Sequence, residues 1–216
     1  MTESHNEKLK RAFIYTGGDI CAEMITEHPK GDDLRIAADS GYNNAARLGE
    51  KTDIFIGDMD SVGEVSLPQN TEVITLNPEK DLTDTQAAVE LAIERGCRDL
   101  VIVGGIGTRL DHTVSNMYIL EDLYLRGIYA ILVNGKNRVR YIKSTSTLIA
   151  RSAYKYVSVI AADEKVKGVD IEGCKYPLKN ARLCRRLQFA VSNEITENCC
   201  LISVRRGGIF IIESID

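Results

Sequence analysis

The stretch Leu100-Val101-Ile102-Val103-Gly104-Gly105-Ile106-Gly107-Thr108-Arg109-Leu110-Asp111-His112 decides the fold. Four consecutive apolar residues leave no face for water, so residues 100–103 read as a strand covered on both sides. The glycines turn the chain, and residues 112–126 then carry apolar side chains at helical spacing, stopped by Gly127. A buried strand running into a helix is the repeating unit of a parallel sheet. The same unit extends outward in both directions. Strands are predicted at 12–15, 34–38, 54–56, 73–76 and 129–133, all as buried runs, with helices at about 21–27, 41–48 and 84–95. Thr83 is the predicted N-cap of the helix at 84–95, with Gln86 as its capping-box partner.

Beyond residue 136 the helical period disappears. Segments 138–142, 147–150, 156–161, 165–171, 188–191, 200–204 and 209–213 alternate as antiparallel strands, and Arg206-Gly207-Gly208 reads as the turn of a terminal hairpin. The expected fold class is therefore α/β. An open, mostly parallel sheet with helices on both faces fills residues 1–135, and a small antiparallel β-sandwich domain fills 136–216.

Composition narrows the function classes. The chain has 216 residues with 44% hydrophobic and 27% charged, which fits a globular core rather than a disordered or coiled-coil protein. Lys plus Arg number 27 against 31 Asp plus Glu, a net charge of -4, so there is no general attraction to nucleic acid or an anionic membrane. No apolar run approaches a membrane span and the polar start lacks a signal-peptide core, so the expected location is cytoplasmic. Six cysteines without CxxC spacing read as reduced, mostly buried thiols. There is no Trp.

Polar residues gather where the parallel strands end, the edge at which open sheets bind ligands. These are Asp39-Ser40-Gly41, Gly57-Asp58-Met59-Asp60-Ser61, Asp81-Leu82-Thr83-Asp84 and the turn 104–112. Asp58 and Asp60 lie two apart in extended chain, so both carboxylates share a side; such hard oxygen donors repel unless a cation such as Mg²⁺ sits between them. Asp39 stands beside them or merely caps the next helix, and Asp84 has the same two readings at its own helix start. Gly104, Gly105 and Gly107 let backbone amides approach an anion, and Arg109 adds a donor fork suited to phosphate. His112 and Asn116, four apart, share one helix face toward the same crevice, with Asp111 beside them.

These motifs, in this order and spacing, resemble the thiamine pyrophosphokinase family. The second half is similar too, through the glycine-then-Tyr-Pro-Leu segment at 168–178 and Val191-Ser192-Asn193-Glu194. The resemblance implies a transferase that moves pyrophosphate from ATP to the hydroxyl of thiamine, releases AMP, and works as a homodimer with Mg²⁺. It assigns Asp58, Asp60 and Asp39 to the metal, and Asp84 to the thiamine hydroxyl or the metal shell. Thr83, the 104–107 amides, Arg109, Asp111, His112 and Asn116 would line the nucleotide side, and Ser192 and Asn193 would contact thiamine, from a partner subunit's sandwich in a dimer. Three positions depart from the family pattern: Ser40 for Gly, Thr85 for Phe, and Thr108 for Gly. They leave every charged residue in place. Animal and fungal members set a Trp against thiamine, so here a Tyr or Phe must stack or nothing does. Two alternatives share these residues: a Mg²⁺-dependent pyrophosphokinase or nucleotide hydrolase acting on another alcohol such as a pterin, and a non-catalytic sensor.

Overall fold

The computed structural model describes residues 10–57, 68, 70–76, 82–107 and 109–216. Its elements in chain order begin with β1 (Arg11–Tyr15), a single 3-10 turn (Ala22–Met24), β2 (Leu34–Ala38), α1 (Gly41–Arg47), β3 (Ile54–Gly57) and β4 (Glu72–Thr75). They continue with α2 (Asp84–Glu94), β5 (Asp99–Val103), α3 (Leu110–Leu125) and β6 (Tyr129–Val133). The remainder is all strand: β7 (Asn137–Lys143), β8 (Ser146–Ala150), β9 (Tyr156–Ala161), β10 (Lys165–Glu172), β11 (Leu178–Cys184), β12 (Cys199–Arg206) and β13 (Gly208–Ser214). Among the described residues no helix is long and apolar enough to cross a membrane.

One sheet of nine strands organises the molecule, in the order β4-β3-β2-β1-β5-β6-β7-β13-β9. The first six pair in parallel, and β7, β13 and β9 continue the same sheet antiparallel. The switch of direction is a tight turn in which the Asn134 side chain accepts from the Asn137 amide at 2.8 Å and Gly135 takes a positive φ. Hydrogen bonding therefore crosses position 135/136 without a break. A second sheet, β11-β10-β12-β8, packs on the β7-β13-β9 end to make the sandwich.

The apolar runs explain the layers. In β1, Ala12 and Ile14 face α2 and α3, whereas Phe13 and Tyr15 face the α1 side, and all four are at most 1% exposed. Alternate residues of every central strand divide in this way, which is why those runs show no polar alternation. β4 is the exception: it is the sheet edge, Val73 is 45% exposed, and the expectation of a fully buried run at 73–76 is wrong there. The predicted helix at 21–27 shrinks to one 3-10 turn. Ile20 and Ile25 both bury against the same cluster, a spacing of five that a helix would place about 140° apart.

Two expectations for the second half are corrected. β12 and β13 do not pair as a hairpin; β12 lies in the small sheet and β13 in the large one. Gly207, at φ +107, turns the chain across the sandwich rather than back along itself. Residues 188–191 form no ladder strand but run along the free edge of β9, where Val159 N–H donates to Ala190 C=O. β11 went unread because Lys179, Asn180 and Arg182 break its alternation and Asn180 has positive φ.

Candidate active site

The parallel strand order reverses between β1 and β5, because the chain winds one way from β1 through β4 and returns to lay β5 on the other side of β1. Loops diverge at such a point and leave a crevice beyond the strand ends. A cavity of about 300 Å³ lies there, at the small end of ligand sites. Its described walls are Thr16, Gly17, Gly18 and Asp19 after β1, Ala38, Asp39 and Ser40 after β2, Thr83, Asp84 and Thr85 at the start of α2, and Gly104, Gly105, Gly107, Arg109, His112 and Asn116 after β5.

Sequence reading passed over the β1 loop. Its signal was legible as Thr16-Gly17-Gly18-Asp19 directly behind an apolar strand. Gly18 packs so closely that a Cβ would strike the Gly104 carbonyl oxygen, and Gly104 itself has φ +79. The two glycine turns thus interlock backbone to backbone. Asn44 of α1, also unforeseen, fastens them: its buried Nδ2 donates to the carbonyls of Thr16 and Gly18, each at 2.7 Å. Asn44→Ala removes both donors, and a loss of about 2 kcal/mol in denaturant unfolding is the expected result. An unchanged midpoint would show that the loop holds itself.

The predicted residues behave differently from one another. Thr83 is the N-cap it was read to be, accepting from Gln86 N–H at 3.2 Å while the Gln86 side chain reaches back to Thr83 N–H at 3.4 Å. Replacing it with alanine costs about 1 kcal/mol, measurable by thermal melting. Asn116 is buried and donates to the Gly105 carbonyl at 2.9 Å, so it shapes the glycine turn from beneath. Thr113, which was not predicted, accepts from Gly107 N–H at 3.2 Å. His112 sits exposed on the rim.

Arg109 lines the cavity and makes a two-pronged pair with Asp111, Nη2 to Oδ2 at 2.6 Å and Nε to Oδ1 at 3.3 Å. Asp111 is not part of the wall. The Arg109 hydrogen bonds hold the Asp111 carboxyl below the usual carboxylate range, and the Asp111 hydrogen bond raises the guanidinium in turn. Both side chains are largely exposed, at 71% and 65%, so solvent screens the pair and a phosphate can displace it readily.

Asp39 is the least settled group. Its backbone has φ +52, its N–H donates to Ile56 C=O, and its Oδ1 is buried with no hydrogen-bond partner among the described residues. A buried carboxylate oxygen without a donor is costly, and a hard cation is the partner that such an oxygen fits. Asp84 enters the same cavity from the first turn of α2. Among the described residues no group of three or more metal-ligating side chains is assembled. Asp58, Asp60, Asp81 and Thr108 lie outside the described residues.

Ser192 and Asn193 do not join this cavity. Asn193 pairs with Val157 on the outer side of β9, five strand spacings from β5, or about 24 Å along the sheet. Its buried amide is already engaged, with Nδ2 donating to Tyr176 C=O at 2.8 Å and Oδ1 accepting from the Tyr176 and Glu194 amides. Asn193 therefore holds the backbone of Tyr176, whose side chain stands 59% exposed. Ser192 is exposed with φ +55, and its N–H donates to the Ser158 hydroxyl at 2.9 Å.

Fold and site together define an α/β protein with an anion-suited, carboxylate-flanked cleft at a sheet switch point and a β-sandwich on the same sheet. Comparison with known families makes this specific. Residues 26–132 match the model described as thiamin pyrophosphokinase, catalytic domain, and residues 145–209 match thiamin pyrophosphokinase, vitamin B1 binding domain. The chain belongs to the thiamin pyrophosphokinase family, which makes it a transferase. A thiamine pyrophosphokinase of Bacillus subtilis is 27% identical over 165 residues, 74% of this chain and 77% of its own. Thiamin pyrophosphokinase 1 of Caenorhabditis elegans is 25% identical over 191 residues, covering 83% and 78%. A solved Bacillus subtilis thiamine pyrophosphokinase structure matches with a TM-score of 0.85 at 25% identity, covering 96% of this chain and 100% of that one. The yeast thiamin pyrophosphokinase structure shares the fold, with a TM-score of 0.72 at 18% identity over 98% and 88% of the two chains.

Proposed function

We propose that this enzyme transfers pyrophosphate from ATP to the hydroxyl of thiamine, with Mg²⁺, giving thiamine diphosphate and AMP in the cytoplasm. The observation that carries the reading is the cleft's division: carboxylates Asp39 and Asp84 on one flank, and the glycine turn 104–107, the start of α3 and Arg109 on the other. Residues 1–135 would bind nucleotide and residues 136–216 would bind thiamine.

The thiamine oxygen attacks the β-phosphorus in line. The bond from that phosphorus to the bridging oxygen breaks, and AMP leaves with the electron pair. Asp39, with Asp58 and Asp60, would hold the cation. Bound Mg²⁺ would neutralise phosphate charge beside these carboxylates. Arg109 would leave Asp111 for the transferring phosphates, and the Gly105 amide would help to fix the chain of phosphates beside the helix N-terminus, since the Gly104 and Gly107 amides already donate to Val133 C=O and the Thr113 hydroxyl. Asp84 would orient the hydroxyl and take its proton late, or join the metal's ligands.

The thiamine side is supplied in trans. A separation of about 24 Å along one sheet leaves Ser192 and Asn193 outside the reach of the β1/β5 cleft, so a second copy of the chain brings them there in a homodimer. Tyr176, exposed and gripped by Asn193, takes the stacking position that a Trp fills in animal and fungal members.

Incubation with ATP, Mg²⁺ and thiamine, followed by mass analysis, tests the reaction: AMP and thiamine diphosphate should appear in equal amounts. AMP alone would mean hydrolysis or another acceptor, and no product would mean a sensor. Arg109→Ala is expected to lower kcat/KM about 100-fold. Wild-type turnover in that variant would remove Arg109 from the phosphate site.

A further inference from the structure

Three carboxylates line the cleft among the described residues, and Asp19 has no task in the reaction above. Its side chain is exposed, and its carboxylate makes no hydrogen bond or ion pair among the described residues. The β1 loop that carries it is rigid, held by Asn44 at Thr16 and Gly18.

The direction of that loop places Asp19. A Cβ on Gly17 would meet the Ser40 hydroxyl, on the side of Asp39. One on Gly18 would meet the Gly104 carbonyl, and one on Gly107 would stand 3.2 Å from the Asp19 backbone nitrogen. The loop thus crosses from the carboxylate flank to the glycine turn, and Asp19 comes to rest beside Gly107, on the far side of that turn from Asp39. A nucleotide with its phosphates between Asp39 and the start of α3 has its nucleoside left to face Asp19.

The chemistry narrows the partner further. An ionised carboxylate only accepts hydrogen bonds and repels phosphate. Its partner must carry donors and no negative charge. A vicinal pair of hydroxyls matches the two carboxylate oxygens, whereas the adenine edge of ATP offers one amino group, and the exposed rim suits a sugar that stays partly hydrated.

We infer that Asp19 accepts hydrogen bonds from the 2′ and 3′ hydroxyls of the nucleotide ribose and so selects ribonucleotides over deoxyribonucleotides. The inference rests on the nucleotide reading of the cleft. Steady-state rates with ATP, 2′-deoxy-ATP and 3′-deoxy-ATP, each with Mg²⁺ and thiamine, test it. The wild type should prefer ATP about 10-fold over either analogue. Asp19→Ala removes both bonds from ATP and the one bond left to each analogue, so it should raise KM about 100-fold for ATP and about 10-fold for either analogue, and the preference collapses; Asp19→Asn, with one acceptor oxygen left, should fall between. An equal change for all three nucleotides, no change, or a shift in KM for thiamine alone overturns the assignment. The two readings fail separately. A wild type that turns over ATP with its sugar preference intact in Asp19→Ala refutes only the role of Asp19. A wild type inert toward ATP refutes the reaction, and calorimetric binding of AMP against 2′-deoxy-AMP then decides Asp19 by itself.

Discussion

Asp39→Asn is expected to cut turnover about 1000-fold while leaving thermal stability unchanged or slightly raised. The two effects have one cause. Oδ1 of Asp39 is buried without a hydrogen-bond partner among the described residues, so the free protein carries a desolvated carboxylate oxygen that contributes nothing to folding. Asparagine keeps the shape, removes the charge, and tolerates the left-handed backbone at φ +52 as readily as aspartate. Stability should therefore survive and cation binding should not. Thermal melts with and without Mg²⁺, beside turnover assays, make the check: the wild type should gain stability on adding the metal, by mass action, and the variant should gain less. Full activity in the variant, or an unaltered response to Mg²⁺, would exclude Asp39 from the cation site.

Glu213→Gln should be the most destabilising conservative change in the sandwich, by about 3–5 kcal/mol. Glu213 is 2% exposed on β13 and takes Arg138 at 3.1 Å and Arg140 at 2.6 Å, while Arg138 also reaches Glu27 at 3.0 Å and lies over the Tyr154 ring. The glutamine would leave Arg138 with Glu27 alone and Arg140 with no carboxylate among the described residues, both guanidinium groups being poorly hydrated. For a chain of this size each kcal/mol moves the melting temperature by about 2–4 °C, so a fall of roughly 10 °C is the expected reading. Replacing Glu27, Arg138, Arg140 and Glu213 together with apolar residues should recover much of the loss, because the whole network is removed rather than one partner. A Glu213→Gln protein as stable as the wild type would mean that water already serves these groups.

The two changes separate what local sequence can carry from what it cannot. Asp39 was legible because it directly follows the apolar run of β2 and strand ends are where open sheets bind ligands. Glu213 was not. In the sequence it is one acid near the end of an ordinary apolar strand, and only the antiparallel register sets it against Arg138 and Arg140 of β7. Thr83 was legible in full, since a capping box involves residues three apart. Asn116 was placed on the right face of α3, but its partner, the Gly105 carbonyl, depends on how helix and turn pack. Asn44 and Thr113 gave no signal at all, because an asparagine or threonine in a helix looks the same whether it faces water or the backbone of a neighbouring turn.

Sequence alone determined the alternation of buried strands and helices, the change to all-β near residue 136, and the acids, glycines and Arg109 at the strand ends. Each depends on residues within one or two turns of chain, where periodicity and backbone sterics act directly. Tertiary structure decided the rest. Hydrogen bonding carries the parallel sheet unbroken into the sandwich, β12 and β13 part company at Gly207, and Asp19 joins the cleft through glycine contacts 86 or more positions along the chain. Ser192 and Asn193 stand beyond β9 rather than beside the cleft. The physical reason is common to all of them: strand order and register follow from burying many apolar faces at once, a cooperative choice that no short segment makes for itself.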